Sequence, residues 1–207
     1  TVQNMYLVDG HSDGIRVRNY PNNPSRPSNI NFNNNTVYKI GHDAFGVWGT
    51  SNVTIRDNDV YTRVNSAFRI MESVNVKVYN NNIHSAYDGS SNGPGIEIGK
   101  INDYPLKNIE IFNNTFHTLY GAGIWISGHD DDGVVRSEDI YIHHNIFRGV
   151  GQYWRNTGYS NSAIVLGQSN NTIIENNIFD NGGQAAIRSY LYPIYDSRME
   201  SIFTTFV

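Results

Sequence analysis

The chain has 207 residues, 39% of them apolar and 16% charged, with a formal net charge of −4 and an isoelectric point near 5.9. That length sustains one domain with a substantial core, while mild acidity without a run of Lys or Arg excludes a nucleic-acid footprint. Cysteine is absent, which excludes disulfides, thiol nucleophiles and thiolate metal sites, and no stretch approaches the ~18 apolar residues of a membrane helix, so no membrane insertion is expected.

Residues 1–28 read as an incomplete coil, with G-I-R-V from Gly14, closed by a loop whose three prolines forbid regular pairing. A ten-residue frame then recurs from Asn29, Asn52, Asn75, Asn108, Asp139 and Asn171. Its second column is Ile30, Val53, Val76, Ile109, Ile140 and Thr172, and its fourth is Phe32, Ile55, Val78, Ile111, Ile142 and Ile174. Both columns alternate as inward strand positions do. The ninth column is Val37, Val60, Ile83, Phe116, Phe147 and Phe179, and the seventh is Asn in every copy: Asn35, Asn58, Asn81, Asn114, Asn145 and Asn177. After each frame comes a strand marked by a small residue and an alternating pair: A-F-G-V from Ala44, A-F-R-I from Ala67, G-I-E-I from Gly95, G-I-W-I from Gly123, A-I-V-L from Ala163 and A-I-R-S from Ala186. Insertions lengthen the later coils at 87–94, 99–107, 127–138 and 148–162, and past Tyr190 the frame dissolves.

Repeats that cannot bury an apolar face singly stack into a solenoid. Strands without helices between them, in register from coil to coil, predict an all-β parallel β-helix of six to seven coils over 1–190, with 191–207 as a tail or cap. The unit reads as two strands separated by a corner, and the invariant Asn column as a ladder of amides ~4.8 Å apart. The first residues look like a coil joined partway, so the chain reads as part of a longer protein with flanking domains or oligomer contacts at its ends.

Alternation puts Arg16, Gly46, Arg69, Glu97, Trp125, Val165 and Arg188 on the outer face of the last sheet. Its first five positions hold two arginines, a carboxylate and a tryptophan, an unusual set for a solvated row. Guanidinium groups bind carboxylates bidentately, and an indole stacks on sugar C–H faces. The candidate catalytic residues are Glu97, Glu72, Asp43, His42 and Arg69; the candidate substrate-binding residues are Arg16, Trp125, Tyr120, Lys100, His129, Asp130 and Trp154. Blander readings stand beside these: a surface Arg69–Glu97 ion pair worth little, corner capping by Asp13 and Asp43, and coil architecture for His84 and His117. Asp130–Asp132 offers oxygens that suit Ca²⁺, but no spaced D-x-D-x-D-G pattern supports a site. No His/Asp spacing matches a metal motif, so neither metal nor cofactor is expected.

The coil pattern resembles the right-handed parallel β-helix repeats of pectate lyases, polygalacturonases and related polysaccharide-degrading enzymes. More narrowly, N-I-E-I-F-N-N-T-F-H, G-A-G-I-W-I-S-G and D-I-Y-I-H-H-N-I-F resemble the disaggregatase family of methanogenic archaea over roughly residues 5–190. That resemblance implies a secreted or cell-surface enzyme cutting a chondroitin-like matrix of uronic acid and N-acetylated amino sugar; it carries no residue role. From the residues, a hydrolase needs two carboxyl groups across the scissile bond, and a lyase needs a base near the uronate C5 proton and a positive group or metal on its carboxylate. Arg69, His42 or Tyr120 could serve in these roles. The count of carboxylates favours hydrolysis; elimination is the alternative, and a non-catalytic glycan-binding or structural solenoid the third reading.

Overall fold

The computed structural model describes residues 1–19, 25–62, 65–85, 93–100, 105–128, 137–151, 162–167, 169–183, 185–189 and 204–206. Across them the backbone winds through three sheets, one of eight strands and two of seven, every pairing parallel. Each strand's sheet neighbours lie one coil before and one coil after it in the chain, as Ser51–Arg56 lies between Ser28–Asn33 and Val74–Tyr79. The result is the expected all-β solenoid, in seven coils.

Each coil has three strands where the sequence suggests two. The ten-residue frame bends in its middle, so that Ser51–Arg56 belongs to the first sheet and Asp59–Thr62 to the second. Columns two and four are even and column nine is odd, and that change of parity marks the bend. The bend residues Asn34, Asp57, Asn80, Asn113, His144 and Asn176 all have φ between 53° and 56°. Frame-starting Asn29, Asn52, Asn75, Asn108, Asp139 and Asn171 form a second left-handed column at 51° to 57°. Asn and Asp occupy this region at the least steric cost among non-glycine residues, so their recurrence sets two of the three corners.

The core is a set of columns running along the axis. Phe32, Phe45 and Phe68 stack at centroid distances of 4.8 and 5.8 Å, and Phe116, Phe147 and Phe179 at 4.7 and 5.1 Å. Beside them the asparagine ladder runs unbroken: Nδ2 of each residue from Asn35 to Asn145 donates to Oδ1 of the next at 2.9–3.0 Å, across gaps of 23, 23, 33, 31 and 32 residues. Backbone N–H groups of the same residues donate to the same oxygens at 2.9–3.0 Å. The ladder thus satisfies buried backbone that a corner would otherwise strand.

The third sheet carries Ile15–Arg18, Phe45–Trp48, Phe68–Met71, Ile96–Lys100, Ile124–Gly128, Ser162–Leu166 and Ala185–Ser189. Its register makes Arg16, Gly46, Arg69, Glu97, Trp125, Val165 and Arg188 successive partners, the expected outer row. At the far end Thr204–Phe206 pairs with Ser169–Glu175, so part of the tail extends the first sheet by one strand. Among the described residues no helix is long and apolar enough to cross a membrane.

Candidate functional site

The corner that leads into the third sheet repeats in register. Asp13, Asp43 and Ser66 stand one above another just before Gly14, Ala44 and Ala67, with His42 and Asn65 one residue earlier on adjacent coils. This stacking gathers residues from four coils. Asp13 Oδ1 lies 2.6 Å from His42 Nδ1 and accepts the Asp43 backbone N–H at 3.3 Å. Its other oxygen pairs with Arg16. Asn65 Nδ2 sits 2.9 Å from His42 Nε2, so both ring nitrogens of His42 are engaged. Arg69 Nη2 is 2.8 Å from Glu97 Oε2, which also accepts from Ser66 Oγ at 2.9 Å.

Asp43 lies at the centre with 0% of its side chain exposed. His42 Nδ1 and Arg69 Nε each approach its Oδ2 to 3.1 Å. Both stand off the axis a hydrogen bond requires: among the described residues neither oxygen of Asp43 completes one, and nor does Arg69 Nε. Burial pushes the Asp43 carboxyl up to about 6, opposed by the nearby charges of Arg69 and His42. The side chains of the cluster that face solvent are the basic ones. His42 and Arg16 each expose 39% of their side chains and Arg69 20%, against 8% for Asp13 and 5% for Glu97.

Gly46 leaves a gap in the row that Trp48 fills. A Cβ on Gly46 would lie 2.1 Å from the Trp48 ring, and the Arg16 guanidinium sits 4.7 Å from that ring's centroid, a cation–π contact. On the other side, half-buried Trp125 follows Glu97 in register. The wall therefore presents two arginines and two indoles over a buried acidic layer.

The sequence-derived set divides in the fold. His42, Asp43, Arg69, Glu97 and Arg16 come together, with Trp125 beside them. Glu72 sits at the opposite end of its strand, at a left-handed corner with φ 52° and 3% exposure. Tyr120 is half-buried at the corner before Ile124–Gly128. Lys100 lies in its strand without a described side chain, and His129, Asp130 and Trp154 lie outside the described residues. Trp48, Asn65 and Ser66 were missed. Trp48 was within reach, since it is two residues beyond Gly46 and alternation returns it to the same face. The Arg69–Glu97 pair forms as expected but is largely buried, so its loss would cost far more than that of a surface pair.

Two other candidates resolve as architecture. His84 and His117 stack at 4.8 Å and 4°, and burial, then the neighbouring His84, holds His117 below the ordinary imidazole value. Asp13 caps the next corner through the Asp43 N–H while also joining the cluster. On the first sheet a groove of about 440 Å³ is lined by Asn75, Lys77, Asn108, Glu110, Asp139 and Tyr141, with Glu110 held by Lys77 at 2.8 Å.

A parallel solenoid of three sheets is the architecture of right-handed β-helix proteins. The chain belongs to that family, whose model, described as right handed beta helix region, matches residues 1–147. Residues 106–207 match the family described as disaggregatase related, a span that contains the motifs from Asn108 and Asp139 that carried the resemblance. No curated protein matches the chain. Among solved structures, the Streptococcus pneumoniae surface protein and adhesin PfbA aligns over 89% of this chain and 84% of its own, at 14% identity and a TM-score of 0.33.

Proposed function

We propose that the chain is the glycan-processing part of an extracellular or cell-surface enzyme that cleaves an acidic polysaccharide of uronic acid and N-acetylhexosamine. The observation that carries this is the pairing of two partly exposed arginines, Arg16 and Arg69, with carboxylates held beneath them, in a row with Trp48 and Trp125. A row that repeats every ~4.8 Å along the axis matches a polymer of sugar rings better than a single small ligand. The disaggregatase-related match over residues 106–207 supports the family resemblance from which this substrate class is taken.

Burial supports elimination over hydrolysis. A hydrolase presents two carboxyl groups to the glycosidic bond, whereas here the carboxylates turn inward and the guanidinium groups outward. In the elimination reading Arg16 and Arg69 hold the uronate carboxylate and stabilise charge that develops on it. His42, committed at both nitrogens, orients the cluster, and we assign proton acceptance to Tyr120. The reading is tested by incubating the protein with chondroitin-like and pectin-like polymers and measuring ultraviolet absorbance of unsaturated uronate separately from reducing ends. Both signals together are expected; reducing ends alone mean hydrolysis, and neither signal with glycan still bound means a non-catalytic solenoid.

A further inference from the structure

We infer that Asp13, His42 and Asp43 form a binding site for one divalent transition-metal cation of the zinc or manganese type. One ligand atom from each lies within 4.8 Å of the others. His42 Nδ1 is 2.6 Å from Asp13 Oδ1 and 3.1 Å from Asp43 Oδ2. Ligand atoms held ~2.1 Å from a zinc ion stand about 3.0–3.4 Å apart; the His42–Asp43 edge already has that length, and the His42–Asp13 edge must open by about 0.4–0.8 Å to reach it. Calcium prefers six to eight oxygens at about 2.3–2.6 Å. A nitrogen and two carboxylates from a rigid corner suit the smaller, borderline ions.

The independent observation is Asp43. Its carboxylate is fully buried and, among the described residues, neither oxygen makes a hydrogen bond, His42 Nδ1 and Arg69 Nε standing 3.1 Å from Oδ2 as ion-pair partners only; a buried carboxylate without hydrogen bonds costs free energy that nearby positive charge must offset. Arg69 approaches only side-on and is turned toward Glu97. A cation at the His42 side would meet the unused oxygens. Outer partners are in place as well. Asn65 holds the far ring nitrogen of His42, and Arg16 holds the far oxygen of Asp13, the arrangement that orients metal ligands elsewhere. With Nδ1 on the ion, Nε2 carries the proton and the Asn65 amide turns its oxygen toward it, a rotation of a group whose two ends are nearly isosteric. The competing arrangement is an imidazolium bridging two aspartates, which needs no ion.

What the ion would do rests on the elimination reading. Beside Arg16 and Arg69 it offers a further positive centre for the uronate carboxylate, with proton acceptance left to Tyr120. Binding does not depend on that reading.

The experiment is calorimetric titration of the chelator-treated full chain with Zn²⁺, Mn²⁺ and Ca²⁺ separately, without glycan. One Zn²⁺ or Mn²⁺ per chain is expected, with Ca²⁺ at least ~10-fold weaker. Asp43→Asn and His42→Ala should each weaken it by more than ~100-fold, and Asn65→Ala by ~10–100-fold. Folding of each variant is checked by circular dichroism. Absence of binding, stoichiometric Ca²⁺ preference, or Zn²⁺ affinity unchanged in Asp43→Asn would each overturn the site. Cleavage that persists in chelator sinks the ion's role and spares the glycan reading; ion binding without any cleavage does the reverse.

Discussion

Replacing Asp43 by Asn should make the metal-free protein more stable at pH 8 and leave it unchanged at pH 4. The carboxyl is raised from its ordinary 3.8 to about 6, chiefly by burial. A raised acid means that the native state keeps a proton the unfolded chain releases. The stabilisation is therefore complete below about pH 4 and lost as pH rises toward 6. At about 1.4 kcal/mol per pH unit, the ionised carboxylate costs the native state about 3 kcal/mol at pH 8. An amide keeps the shape and removes that cost, and Arg69 retains Glu97 at 2.8 Å. For a domain of this size the gain corresponds to about 6–12 °C in melting temperature. Thermal unfolding at pH 4, 6 and 8 in chelator reads it directly. A variant that melts lower at pH 8, or that keeps the wild-type slope between pH 4 and 6, would show that Arg69 and His42 hold Asp43 as a stable ion and refute the reasoning. With Zn²⁺ added the order should invert, because only the wild type gains the ion's binding energy.

The ladder offers a contrast between interior and end. Asn81→Ala removes Asn81's amide bonds to Asn58, Asn114, Ile55 and Tyr79 and strands the Asn58 N–H, so about 3–5 kcal/mol should be lost; Asn177→Ala, at the ladder's end, should lose about half as much by denaturant midpoint. Arg69→Met leaves Glu97 and Asp43 buried without their cation and should cost about 3–5 kcal/mol, of which the double variant with Glu97→Gln recovers part; a double-variant loss equal to the sum of the two single losses would mean the pair is not coupled. Trp125→Ala should raise the KM for glycan by about 10-fold while moving the melting temperature little, since the ring is half-exposed; an unchanged KM removes it from the binding wall.

The columns were legible because a solenoid turns sequence period directly into spatial neighbourhood. Asn58, Asn81 and Asn114 share a frame position and therefore touch, and the row from Arg16 to Arg188 followed from alternation alone. The third strand per coil was hidden, since the frame runs through a left-handed bend that keeps both halves polar–apolar alternating. The site was legible only in part. Identical columns align by rule, but the chemistry here comes from unlike residues in neighbouring columns, such as His42 with Asp13, 29 residues apart, a separation that no metal or catalytic spacing rule describes.

What the amino-acid order determined by itself was the winding: which side chains face the core, which corners take Asn, and which residues share the outer wall. Tertiary structure alone decided that the carboxylates of that wall turn inward and the cations outward, that Trp48 lies across Gly46, and that Asp43 is sealed without a hydrogen bond. The physical reason is that periodicity specifies a side chain's direction, whereas burial and charge pairing depend on rotamers chosen against neighbours from other coils.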